Sequence, residues 1–211
     1  MKLTIINYGS GNLHSVHKAF EKVNSIIGSP YNITVTSNPL EIIESDKIVL
    51  PGVGAFNQCK NSLLDINNLY EILEDKVIQK KIPFMGICVG MQLLANKAYE
   101  FGKHNGFGWI EGEVVKLNTK ETFQVPHMGW NEVCFEKHPL FTNCKQGTDF
   151  YFVHSFHFKA GKKENVLATT NYSETITAAV INENIFGTQF HPEKSHENGK
   201  KIIENFLNWK P

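Results

Sequence analysis

The chain has 211 residues, 21 lysines and arginines against 21 aspartates and glutamates, and an apolar fraction of 41%. A chain of this size buries about 70% of its unfolded surface, so it can fold without disulfides or a structural metal, and its length suggests one domain spanning residues 1–211. Zero net charge provides no broad electrostatic footprint for a phosphate backbone or an anionic membrane, which excludes nucleic-acid binding as a first reading.

The opening stretch MKLTIINYGSG contains too short an apolar run for a signal-peptide core, and no segment has the run of about 18 apolar residues that crosses a bilayer. The expected location is the cytoplasm. Cysteines 59, 88, 134 and 144 form no Cys-x-x-Cys pair, so zinc-ribbon and thioredoxin spacings are absent. Cys59, Cys134 and Cys144 are expected to be structural, most of them small buried hydrophobes. Nine histidines include no metal-ligand spacing. His154 and His157 fall in a strand-like run where paired or exposed roles are expected, and no metal or cofactor is predicted.

In chain order, Leu3 to Ile6 reads as a strand. Asn12 caps a helix carrying Leu13, Val16, Phe20 and Val23 on one face, which Gly28 and Pro30 close. Ile33 to Thr36 is a second strand and Lys47 to Leu50 a third, stopped by Pro51 and Gly52. A helix from about Leu69 to Lys80 leads to the strand Pro83 to Ile87, and a further helix is expected directly after Cys88. This alternation predicts βαβ units around a parallel sheet. The second half changes to short strands at Glu113–Leu117, Glu132–Phe135, Phe150–Phe158, Val166–Thr170, Thr177–Ile181 and Ile185–Phe190, read as mixed extensions of that sheet, and ends in a helix from about Glu197 to Trp209. The fold class is α/β, with a mostly parallel central sheet flanked by helices.

The sharpest motif is Gly86-Ile87-Cys88-Val89-Gly90, where a strand passes through a turn directly into a helix. This is a nucleophile elbow with cysteine as the nucleophile: the glycines permit a turn so tight that the side chain projects alone. A helix N-terminus there would favour the thiolate, and the Val89 N–H would face a carbonyl under attack as an oxyanion donor. A cysteine nucleophile needs a base, and the base needs an orienting group. His191 and Glu193, in Gly187-Thr188-Gln189-Phe190-His191-Pro192-Glu193, lie two apart and would share one side of an extended segment. A second oxyanion donor fits Pro51-Gly52-Val53-Gly54. Gly9-Ser10-Gly11-Asn12-Leu13-His14 begins like a dinucleotide fingerprint but lacks the third glycine, and no P-loop is present.

These residues resemble the triad, or class I, glutamine amidotransferases, with GICVGMQLL as elbow and QFHPEKS as base strand. The likeness runs nearly end to end, through NYGSGNLHSV at 7–16, PGVGAF at 51–56, VPHMGWN at 125–131 and YFVHSF at 151–156. The first and third of these point to the branch that serves histidine biosynthesis. The resemblance implies that Cys88, His191 and Glu193 hydrolyse glutamine to glutamate and ammonia, with Gly52, Val53 and Val89 around the oxyanion. It implies glutamine binding by Gln92, Glu100 and the backbone of Ser155 and Phe156, with Glu100 facing the ammonium group. It also implies a partner, a (β/α)8 cyclase subunit reached through a shielded ammonia passage, with Asn12, Met128, Trp130, Tyr151 and Lys194 at or near the interface. Read singly, these are a helix cap, core residues and a solvated lysine. Asn7 stands where the family usually has an acidic residue. Alternatives within the same scaffold are a paralogue feeding ammonia to sugar amidation and a free-standing γ-glutamyl hydrolase.

Overall fold

The computed structural model describes residues 1–119 and 123–211. The first half is a run of βα units: β1 (Lys2–Ile6), α1 (Leu13–Ile26), β2 (Asn32–Thr36), α2 (Pro39–Ile43), β3 (Lys47–Gly52), α3 (Phe56–Leu64), α4 (Leu69–Glu74), β4 (Phe84–Cys88) and α5 (Val89–Gln92). The second half is mainly strands: β5 (Lys97–Ala98), β6 (His104–Asn105), β7 (Gly112–Lys116), β8 (His127–Phe135), β9 (Thr148–His154), β10 (Phe156–Ala160), β11 (Val166–Tyr172), β12 (Glu174–Asn182) and β13 (Ile185–Thr188), closed by α6 (His196–Asn208).

One sheet has the order β2-β1-β3-β4-β13-β12-β11-β8-β9. It is parallel from β2 through β13 and antiparallel beyond. Every residue of β3 and β4 is buried, as expected for parallel strands covered on both faces. Helices α1 and α6 pack together through Phe20 and Phe206, whose rings meet edge to face at 6.4 Å. Lys47, buried at the start of β3, donates through Nζ to the carbonyls of Phe206 and Trp209 at 2.7 and 2.6 Å. It thereby ties the end of α6 to β3, sharing the Phe206 carbonyl with the Trp209 N–H and taking the Trp209 carbonyl just beyond the helix.

Several expectations are corrected. Pro51 and Gly52 do not stop β3 but continue it, opposite Ile87 and Cys88 of β4. On the other side β1 has already ended its pairing at Val49, and the Pro51 carbonyl accepts the Tyr8 hydroxyl at 2.8 Å, so the missing proline N–H deletes no ladder bond there. The helix after Cys88 is a single turn, because the carbonyls of Leu93, Leu94 and Ala95 are taken by the N–H groups of Phe107, Ile110 and Gly108. Phe150–Phe158 is two strands, broken at Ser155. One joins the large sheet, while β10 pairs with β7 in a second sheet of order β10-β7-β5-β6. Strands β7 and β10 therefore do not extend the first sheet. Helix α3 is an element the periodicity did not reveal. Its first N–H groups have no local side-chain cap, and Phe56 N–H instead donates to Glu100 Oε2 at 2.7 Å, across 44 residues. A cap supplied from so far along the chain leaves no local signature. Cys59 is buried as expected, whereas Cys134 is exposed and Cys144 only half-buried.

Candidate active site

The parallel strands β3 and β4 deliver Gly52 and Cys88 side by side at their carboxyl ends, where ligands bind in open α/β sheets. The chain turns at Cys88 with φ 55° and ψ −109°, a backbone region that non-glycine residues rarely enter. Its neighbours make room for that turn. A Cβ on Gly90 would stand 1.9 Å from the Leu50 carbonyl oxygen, and one on Gly86 would stand 2.5 Å from the Gly90 carbonyl oxygen.

Strand β13 stops at Thr188, two residues short of the sequence expectation. Gln189 N–H still bonds the Ala178 carbonyl of β12, but His191 N–H switches to the Tyr151 carbonyl of β9, both at 2.9 Å. His191 and Glu193 thus do not share an extended segment. The chain folds into a 3-10 turn over Pro192–Lys194, which brings Glu193 Oε1 to 2.8 Å from His191 Nδ1. Nδ1–H donates to the carboxylate, leaving Nε2 as the second ring nitrogen. His191 Nε2 is buried without a hydrogen-bond partner among the described residues, and Cys88 lies near enough to act on its charge. Burial alone would push the imidazole down. The charge of Cys88 and hydrogen bonding toward it, with the hydrogen bond to Glu193 and its charge, outweigh burial and push the ring up to about 10, which favours the imidazolium.

Cys88 opens into a cleft of about 300 Å³, the size range of small-molecule sites. Val53, Val89, Gln92, Glu100, Ser155 and Phe156 all line it, with Gly54, Pro126 and His154. Gly52 does not. A Cβ there would meet Tyr8 Oη at 2.6 Å, so its glycine identity serves close packing behind the cleft. The Val53 N–H, expected to face an oxyanion, lies 3.3 Å from Ser10 Oγ, and the same hydroxyl donates to the Val53 carbonyl at 2.6 Å. Ser10 also touches Cys59 Sγ at 3.1 Å.

None of Asn12, Met128, Trp130, Tyr151 and Lys194 lines this cleft. Asn12 caps α1 through the Ser15 N–H at 3.3 Å. Met128 and Trp130 are 61% and 47% exposed on β8, so the core-packing alternative fails for both. Trp130 sits opposite Tyr151 and stacks on His196 at 5.0 Å, and Lys194 Nζ lies 5.6 Å from the Tyr151 ring centre. Asn7 accepts the Gly9 N–H at 3.2 Å, a local turn that needs no acidic side chain.

Sequence reasoning missed Ser10, Gln189 and His127; His154, expected to be paired or exposed, is buried and paired with His127, their rings linked at 2.9 Å. Gln189 had a readable signal: a carboxamide two residues before His191, just past the apolar strand β13. Burial holds His127 down to about 4, and burial with the charge of His127 holds His154 to about 3. Unfolded histidines protonate near pH 6.5. Between that value and about pH 4 the unfolded chain binds protons that the folded chain refuses, so stability must fall as pH falls through this window. Replacing His127 by glutamine should remove about 2 kcal/mol of the difference between urea unfolding free energies at about pH 7 and about pH 4.5. An unchanged difference would contradict this assignment. No group of three or more His, Cys, Asp or Glu side chains positioned to hold a metal occurs among the described residues. No helix among them is long and apolar enough to cross a membrane.

The fold, the cysteine elbow and the histidine–glutamate pair define a class, and comparison with known proteins gives the same one. The class-I glutamine amidotransferase family matches residues 4–209, and the chain belongs to that family. Among its relatives are proteins named imidazole glycerol phosphate synthase subunit HisH. That of Pelagibacter ubique is 47% identical over 99% of this chain and all of the relative, and that of Rhodospirillum rubrum is 43% identical over the whole of both. Solved structures share the fold at low identity. A glutamine amidotransferase aligns with TM-score 0.72 at 13% identity over 97% of each chain. Another glutamine amidotransferase, from Thermotoga maritima, aligns with TM-score 0.66 at 17% identity, covering 99% of this chain and 83% of that one.

Proposed function

We infer that this chain is the glutaminase subunit of an imidazole glycerol phosphate synthase, hydrolysing glutamine and passing the ammonia to a (β/α)8 cyclase subunit that makes imidazole glycerol phosphate and AICAR. The observation that carries the reading is the 2.8 Å His191–Glu193 pair beside Cys88, in a chain 47% identical to a HisH protein over 99% of its length. Cys88 Sγ attacks the side-chain carbonyl carbon of glutamine, while His191 Nε2 holds the proton and delivers it to the departing ammonia. Glu193 keeps Nδ1–H engaged, so that Nε2 faces the reaction. Water then cleaves the γ-glutamyl thioester with His191 as base, releasing glutamate.

Glu100 Oε2 is occupied by Phe56 N–H, which leaves Oε1 for the ammonium group of glutamine. Gln92 donates both its N–H bonds within the protein, to the Phe156 carbonyl and to Gln189, so its Oε1 is the acceptor available to the substrate. The Val89 N–H is one oxyanion donor. The Val53 N–H is the other, once it turns away from Ser10. Exposed Met128 and Trp130, half-buried Tyr151 and Lys194, and Asn12 form the docking face for the cyclase.

Mixing the chain with a histidine-pathway cyclase subunit, its nucleotide substrate and glutamine should yield glutamine-dependent imidazole glycerol phosphate. Active glutaminase without that product would move the assignment to a sugar-amidating synthase. Fast turnover indifferent to any partner would move it to a free-standing γ-glutamyl hydrolase.

A further inference from the structure

Cys88 Sγ receives a hydrogen bond that the mechanism above does not use: Gln189 Nε2 donates to it at 3.6 Å from a fully buried side chain. We propose that Gln189 is the positioning residue of the nucleophile, presenting an N–H to the sulfur in an orientation fixed by a chain of hydrogen bonds that ends on the Phe156 carbonyl. The proposal rests on the reading of Cys88 as nucleophile.

The orientation follows from donor and acceptor arithmetic. A carbonyl only accepts, so the Gln92 atom 2.9 Å from the Phe156 oxygen is Nε2. The same Nε2 lies 3.0 Å from the Gln189 carboxamide, whose facing atom must then be Oε1. Gln189 Nε2 is thereby turned to Cys88, and a flipped carboxamide would set two donors against each other. The Phe156 carbonyl also fixes a second branch. His154 Nδ1, 3.0 Å away, must carry its proton, so His154 Nε2 accepts from His127 Nδ1 at 2.9 Å. His127 Nε2 in turn accepts from Asn131 Nδ2 at 3.2 Å, and that amide's other N–H goes to the Asn171 carbonyl at 2.9 Å. Every link has one permitted direction. The sulfur is consequently an obligate acceptor toward Gln189, an arrangement that stabilises the thiolate over the thiol.

The test is the pH dependence of Cys88 alkylation by iodoacetamide in the full chain. It is read by peptide mass spectrometry, because exposed Cys134 also reacts. The ionisable groups around the sulfur are His191 with its partner Glu193, Tyr8, Cys59 and, in the same cleft, Glu100 and His154; all stay in place. Gln189→Leu removes the donor and should raise the inflection by about one unit. The isosteric Gln189→Glu sets a carboxylate against the sulfur and should raise it further. A merely space-filling Gln189 would leave the inflection unchanged in both variants, and that result would overturn the proposal. Because alkylation needs no glutamine, the measurement is separate from the glutaminase reading, which fails instead if Cys88→Ala still turns over glutamine.

Discussion

Replacing Cys88 by alanine should reduce glutamine hydrolysis by about 10⁶-fold, because removing a nucleophile also idles the base that serves it. The measurement is ammonia and glutamate release by the variant combined with its cyclase subunit. With ammonium salts supplied at high pH the same complex should still form product, since free ammonia bypasses the thioester. Those two readings together separate loss of the nucleophile from loss of assembly. Residual glutamine turnover within tenfold of the unaltered protein would remove Cys88 from the mechanism. Alanine at this position keeps the Cβ, so the elbow backbone meets the same steric demand as before.

The second large effect is a gain. Ser10 Oγ lies 3.3 Å from the Val53 N–H and donates to the Val53 carbonyl at 2.6 Å, and this arrangement holds the peptide with its donor away from the cleft. An oxyanion donor is worth about 10²- to 10³-fold in rate. Ser10→Ala deletes the hydroxyl that competes for it and should raise partner-free glutaminase about 10- to 100-fold in kcat, with little change in KM. Equal partner-free rates in the variant and the unaltered chain would show that Ser10 does not restrain Val53. Ser10 falls in Gly9-Ser10-Gly11, a stretch whose resemblance to a failed dinucleotide fingerprint concealed this contact.

The parallel half of the fold was legible because covered strands leave continuous apolar runs: β3 and β4 were located within two residues, and so was the cysteine turn between its glycines. What stayed hidden depends on contacts between distant residues. Helix α3 begins where Glu100 reaches back to Phe56, and β9 separates from β10 at Ser155, a single serine whose weak turn preference does not by itself divide an apolar run. That His191 and Glu193 pair was readable from their two-residue spacing, but that they do so through a 3-10 turn was not. Nor was the direction of the Val53 N–H, since a peptide plane can rotate without any change in the residues that flank it. The exposure of Met128 and Trp130 was equally illegible, because alternation along β8 fixes which residues share a face but not which face is covered.

The backbone of Cys88, at φ 55° and ψ −109°, carries a conformational penalty of the order of 1–3 kcal/mol for any residue with a side chain. Glycine is the residue that would relieve it. Selection for folding stability alone would therefore drive position 88 toward glycine, and a copy of this gene released from the duty proposed for Cys88 would gain stability by losing it. The cysteine stands there against the preference of its own backbone.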